Sequence, residues 1–359
     1  DEHNHFFRVN YPPTGSEYVF FTYIAFFIVI YSLSAFLFSG NLNKKTKIIF
    51  NVVFIALFFT GAEYSLRFFI QSHNTIHRPH PLLFWELSKD AEVIFPDGKE
   101  IKTNYYGFRY EEFPIKKPPG EYRFILVGDS TAYGVHIEEG ERFSDLLEKD
   151  LQQRFPEKKI RVINAAVDGY STFQIYELIT TNLMKYEPDC ILYAVNNDSG
   201  KDFKEDKDRL PPKSLWGILL ELYQSETYLM LKKLAFNYLI KNNDSVQGKA
   251  PECARVSPED LRILLNNIIK TEKEAGGRLA VISLPLPEKH YDAEKIRYKE
   301  ITREICKNTN SLFIDVYSLW KNDPEKKKLF LDDVHPDEEG NALIEKVILD
   351  DLIKENMIK

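Results

Sequence analysis

Residues 18–38 read YVFFTYIAFFIVIYSLSAFLF, an apolar run with no charged side chain before Lys44. Coiled as a helix, such a run extends about 30 Å, the hydrocarbon thickness of a bilayer. A core helix seldom runs so far without a polar face, so the run predicts a transmembrane span. A cleaved signal peptide is the rival reading. The preceding residues, DEHNHFFRVNYPPTGSE, are acidic rather than basic, and no clear small-residue cleavage site follows. A second apolar run, 48–62, ends at Glu63, which can pair with Arg67 one helical turn on and carry the helix to Ile70. Lys44, Lys45 and Lys47 fall in the loop between the runs, and the positive-inside rule places that loop in the cytoplasm. The expectation is an extracytoplasmic tail (1–17), a transmembrane hairpin (18–70) and everything beyond it outside the cell.

Hydrophobic residues make up 44% of the 359 and charged residues 28%, enough for a packed core, and the net charge of −7 argues against a nucleic-acid partner. Residues 71–120 are rich in proline and predict a connecting segment with short strands. His73, His77 and His80 have helical spacing, but prolines interrupt the helix and no cysteine completes a metal site, so a polar membrane exit is the stronger reading. Three cysteines (Cys190, Cys253, Cys306) allow at most one bridge, with Cys253 and Cys306 the candidate pair. No metal or cofactor is expected.

From residue 121 apolar strands alternate with amphipathic helices. The strands are 124–127, 160–164, 190–195, 278–284 and 312–316; helices are expected at 143–155, 173–186, 258–275, 291–308 and 338–355. Five short apolar strands with helical crossovers predict an α/β domain over 121–359, its parallel sheet covered on both faces. Ligands in such folds bind at the carboxyl ends of the strands. Residues 199–257 interrupt the pattern and read either as a surface insertion with its own small core or as a lid.

The strand ends carry the chemistry. The first strand runs into Gly128-Asp129-Ser130, where a tight turn can present a serine hydroxyl. A serine nucleophile needs a base, nearly always histidine. Five of the eight histidines lie at or before position 80. His136 follows the serine too closely to reach back easily, and His290 lies beyond a proline turn. His335, in LDDVHPDEEG, has Asp332 three residues ahead to orient it, with Asp333 a competitor. The second strand leads to Gly169 and the third to Asn196-Asn197-Asp198, suitable oxyanion donors through a backbone N–H and a side-chain amide. The absence of G-x-S-x-G disfavours an α/β-hydrolase elbow.

Gly128-Asp129-Ser130, Gly169, Asn197 and Asp332-x-x-His335, in that order, resemble the SGNH, or GDSL, hydrolase superfamily over about residues 121–355. TNYYGFR (103–109) also looks like a stretch that precedes the Gly-Asp-Ser block in membrane-anchored bacterial members. The resemblance implies a flavodoxin-like three-layer α/β/α fold with a five-stranded parallel sheet. It implies Ser130 as nucleophile, His335 as base and Asp332 as its partner, with an oxyanion hole from the Ser130 and Gly169 N–H groups and the Asn197 amide. One departure is Val195-Asn196-Asn197-Asp198 where the family usually has Gly-x-Asn-Asp, which leaves Asn196 as a minor competitor. The function so implied is a membrane-anchored serine esterase acting on acylated cell-surface glycan or lipid. The alternatives are an O-acyltransferase using the same triad, or a non-catalytic subunit that keeps the scaffold and binds membrane-protein partners.

Overall fold

The computed structural model describes residues 15–38, 43–71, 75–94, 98–241, 253–287, 293–321, 323, 325–332 and 334–358. His73, His290, Asp333 and the tail before residue 15 lie outside the described residues.

In chain order the helices are α1 (Ser16–Phe38), α2 (Lys44–Gln71), α3 (Ser130–Tyr133), α4 (Phe143–Arg154), α5 (Thr172–Thr181), α6 (Trp216–Leu222), α7 (Glu226–Lys241), α8 (Pro258–Glu274), α9 (Ala293–Thr309), α10 (Val316–Lys321) and α11 (Glu338–Lys354). The principal strands are β1 (Glu121–Gly128), β2 (Lys159–Asn164), β3 (Cys190–Ala194), β4 (Arg278–Ser283) and β5 (Leu312–Asp315). They divide between two compact units, one helical (residues up to 85 with 211–241) and one α/β (86–210 with 253–358).

In the helical unit, α1 and α2 are long and apolar enough to cross a membrane, and only 6% of the most apolar stretch of each is buried within the protein. Neither stretch is therefore buried as a core helix of this chain. Lys44, Lys45 and Lys47 belong to the first turn of α2 rather than to a loop, because Asn43 caps it: its Oδ1 accepts the Thr46 N–H at 2.9 Å. The two helices cross closely at Gly61, where a Cβ would fall 2.1 Å from the Tyr23 hydroxyl. Tyr23 donates to the Phe58 carbonyl at 3.1 Å and Tyr31 to Asn51 Oδ1 at 3.0 Å. The apolar residues of 211–241 form no core of their own. Leu229 and Met230 of α7 instead join Phe20, Ala62, Leu66 and Ile70 in one buried cluster. His77 and His80 lie in a short strand, not a helix, and His80 Nδ1 accepts the Leu82 and Leu83 N–H groups. Burial pushes the His80 imidazole down to about 4. His80 thus closes a turn, and no group that could hold a metal occurs among the described residues.

In the α/β unit the five strands are parallel in the order β2-β1-β3-β4-β5. This is the flavodoxin-like order, and its direction reverses between β1 and β3. Phe124 to Val127 are fully buried, as is most of β3 and β4, because helices cover both faces. Right-handed crossovers put α4 on one face, where it packs with α11, and α5, α8 and α9 on the other. Local sequence sets the helix starts: Ser257 caps α8 ahead of Pro258, and Asp337 caps α11. The three cysteines are free; Cys190 and Cys306 are buried, and Cys253 does not pair with Cys306.

Candidate functional site

The reversal point of the sheet is where Gly-Asp-Ser leaves β1. Gly128 is required by contact: a Cβ there would lie 2.3 Å from the Ala194 carbonyl oxygen of β3 and 2.4 Å from the Ala132 Cβ. Next comes Asp129, buried. Its Oδ1 accepts the Thr131 N–H at 3.2 Å, capping α3, and its Oδ2 accepts the Asn196 N–H at 2.7 Å, fixing the loop after β3. Burial raises its carboxyl to about 6, against the pull of those two N–H groups and of His335. Ser130 opens α3, and its hydroxyl makes no hydrogen bond among the described residues.

Helix α3 is one turn long and held along its length. Asn164 Nδ2, at the end of β2, donates to the Ala132 carbonyl at 2.9 Å. At the other end Arg109 Nη1 donates to the Tyr133 and Gly134 carbonyls, each at 2.8 Å, and Nη2 to that of Ile137 at 3.2 Å. Its guanidinium also lies over the Tyr133 ring, 4.5 Å from the centroid. A cation on the last carbonyls of a helix satisfies groups that have no partner within it and favours the dipole. Sequence reasoning gave Arg109 no role; the signal was the TNYYGFR segment, of which it is the last residue. Asn104 builds that segment by accepting the Tyr106 and Phe108 N–H groups at 3.0 Å each.

Gly169 follows β2 with φ +76°, a left-handed conformation that favours glycine. Its carbonyl receives Asn197 Nδ2 at 3.0 Å and Arg255 Nη1 at 2.5 Å. With the carbonyl so fixed, the Gly169 peptide plane is held between the loops after β2 and β3. Arg255, on the return limb of the insertion, was another partner the sequence did not reveal. Asn196, the competitor, spends its backbone N–H on Asp129 and leaves its buried Nδ2 without a partner among the described residues. Asp198 is structural: it accepts the Thr172 N–H at 2.7 Å at the start of α5, and burial raises its carboxyl to about 6.

Asp332 and His335 form a local pair. His335 Nδ1 meets Asp332 Oδ2 at 2.7 Å, and Asp332 Oδ1 accepts the Val334 and His335 N–H groups at 2.8 Å each. Partial burial raises the Asp332 carboxyl, but the hydrogen bonds outweigh it and hold the group below its ordinary value. A carboxylate on Nδ1 selects the Nδ1–H tautomer and leaves Nε2 as the acceptor. Nε2 is buried and unpartnered among the described residues, so the expected hydrogen bond to Ser130 is not formed. His136, set aside in the sequence, stands beside His335 with ring centroids 6.4 Å apart, its backbone at φ +62°.

The profile of the GDSL-like Lipase/Acylhydrolase family matches residues 126–343. No curated protein sequence matches the chain. Among solved structures, a lipase/acylhydrolase from Enterococcus faecalis is 14% identical over 65% of this chain and 96% of its own, with a TM-score of 0.45. The psychrotrophic esterase EstA from Pseudoalteromonas sp. is 15% identical over 65% and 98%, TM-score 0.42. An acetylxylan esterase from Geobacillus stearothermophilus is 15% identical over 64% and 94%, TM-score 0.43. Likeness at that level carries no argument about substrate.

Proposed function

Since the chain belongs to the GDSL-like lipase/acylhydrolase family and is an ester hydrolase of that type, we propose that it works as a membrane-anchored serine esterase with Ser130 as nucleophile. Ser130 Oγ attacks the acyl carbonyl and passes its proton to His335 Nε2, while Asp332 holds the imidazole and stabilises its charged form. The oxyanion is received by the Ser130 and Gly169 N–H groups and by the second N–H of the Asn197 amide. His335 then protonates the leaving alcohol, and water repeats the sequence on the acyl-enzyme. The observation that carries this reading is the His335 ring, oriented by Asp332 through Nδ1 with Nε2 buried and unengaged.

In the same reading α1 and α2 cross the bilayer, with Lys44, Lys45 and Lys47 in the cytoplasm and the α/β unit outside. There its ester would be an acylated cell-surface glycan or lipid. A serine-directed fluorophosphonate tests the chemistry: the wild-type chain should label and Ser130→Ala should not. Equal labelling of both would refute the nucleophile. A fluorescent-protein fusion at the C-terminus tests the topology, and cytoplasmic fluorescence would reverse it.

A further inference from the structure

Helix α6 has no buried residue at all. With the 3₁₀ turn Lys213–Leu215 before it, it forms a continuous helical stretch whose apolar side chains point outward: Leu215 is 43% exposed, Ile218 61% and Leu222 38%. Positions i, i+3 and i+7 fall on one helical face, so this is a stripe rather than scattered residues. Glu221 lies on another side. A stripe of this kind on a surface helix wants a cover.

Its level relative to α1 and α2 is set by Glu63. Roughly 28 Å of α2 separates Glu63 from Lys44 at about 1.5 Å per residue, close to the full hydrocarbon thickness. The Glu63 carboxylate accepts the Ser225 hydroxyl at 2.8 Å and the Glu226 and Thr227 N–H groups at 3.0 Å each, capping α7. Arg67 Nη2 adds a bond to the Gln224 carbonyl at 2.6 Å. Leu222 is three residues from Ser225, so α6 ends within about 10 Å of the residue that Glu63 holds, by the reach of an extended chain. Beside this corner a groove of about 530 Å³ has Phe59 and Leu231 among its apolar walls, with Arg67 and Gln224 among its polar ones. The same apolar-to-polar change occurs where hydrocarbon meets headgroups.

We propose that α6 lies in the membrane interface as an amphipathic helix, with Leu215, Ile218 and Leu222 dipped into the lipid of the leaflet at the Glu63 end of the hairpin. Trp216 suits that depth, its indole N–H already donated to the Pro211 carbonyl at 3.0 Å and Lys213 over its ring. The cover is therefore lipid, in continuity with the apolar surface of α1 and α2. The inference rests on the membrane-spanning reading of the hairpin.

Nitroxide labels on the full chain in lipid nanodiscs test it. Cys253→Ser supplies the background, since Cys190 and Cys306 are buried and burial pushes the Cys306 thiol up to about 12. Labels are placed singly at Ile218→Cys, Glu221→Cys and Val53→Cys. The label at 218 should collide with oxygen several-fold more than with a water-soluble nickel chelate, as at 53, while 221 should show the reverse. A label at 218 as water-accessible as at 221, with 53 still lipid-exposed, would overturn the interfacial helix alone. Restricted access to both reagents at 218 would mean a protein cover and would also overturn it. Water-like access at 53 would refute the hairpin reading, and this inference with it.

Discussion

The two halves of the candidate site are held in different ways. The turn carrying Ser130 is fixed by residues far away in sequence: Gly128 against β3, Asp129 to Asn196, Asn164 to Ala132 and Arg109 to three carbonyls. His335 is held by Asp332 three residues away and by its own strand-like pairing, in which the Leu331 N–H donates to the His335 carbonyl at 2.8 Å. Asp332 is exposed. One half is cross-braced by three segments of the fold, at Arg109, at Asn164 and at the end of β3; the other is a self-contained loop. A nucleophile that must attack along a fixed direction needs the first arrangement, while a base that must receive and return a proton tolerates the second.

The largest effect should come from either half alone. Ser130→Ala and His335→Ala should each lower kcat on the order of 10⁶, because members of a triad act as a unit. A double variant should be no slower than either single one. Additive losses, measured on a chromogenic ester, would break the unit apart.

Asp332→Asn should cost less, on the order of 10³–10⁴ in kcat, by loosening the tautomer and orientation of His335. Next is Asn197→Ala, on the order of 10²–10³, as for loss of one oxyanion donor. Asn197 also braces the Gly169 carbonyl, so this variant should lose kcat with KM little changed. A rise in KM alone would assign Asn197 to substrate binding.

The braced half can be tested without turnover. Arg109→Met would strip three carbonyls of their donor inside the protein and should destabilise the α/β unit by about 3 kcal/mol. Arg109→Lys, keeping the charge without the planar fork, should recover part of both stability and labelling rate. Differential scanning calorimetry reads the first and fluorophosphonate kinetics the second. Unchanged melting in Arg109→Met would remove it from the bracing.

The same contrast explains what the sequence disclosed. Four of the five strands lie within one residue of their expected bounds and β1 begins three residues early, at Glu121, since each is built on an apolar run cut off by a polar or glycine end. Ser130, Gly169 and Asn197 stood out as candidates because each follows such an end, and Asp332 and His335 because of their spacing in the segment between the last strand and the last helix. The Asp332–His335 contact is local and could be anticipated from spacing. Arg109, Asn164 and Arg255 could not, because what they hold in the site are backbone carbonyls far along the chain, which leave no mark in the sequence. The same limit hid the partner of α7: an apolar helix face announces that it will be buried, not against what. His136 was passed over for the opposite reason, being near Ser130 in sequence while a left-handed backbone turns its ring toward His335.

The smallest prediction sets the two aspartates against each other. Asp129 is raised to about 6 by burial, above the ordinary value it would have unfolded. The native state therefore binds the extra proton, and the contribution of Asp129 is fully present below the unfolded pKa and is lost as pH rises through 6. Asp332 is lowered by its hydrogen bonds, so its contribution is present above the unfolded pKa and is lost as pH falls. Asp129→Asn keeps an acceptor for one of the two N–H groups but cannot titrate. The stability difference between wild type and Asp129→Asn should shrink by roughly 2 kcal/mol between pH 4 and pH 7. For Asp332→Asn the difference should instead grow over that range, and by less, because solvent screens an exposed pair. Urea titrations at the two pH values measure both. Equal signs would mean that the buried turn and the open loop are electrostatically alike, and the contrast between them would fail.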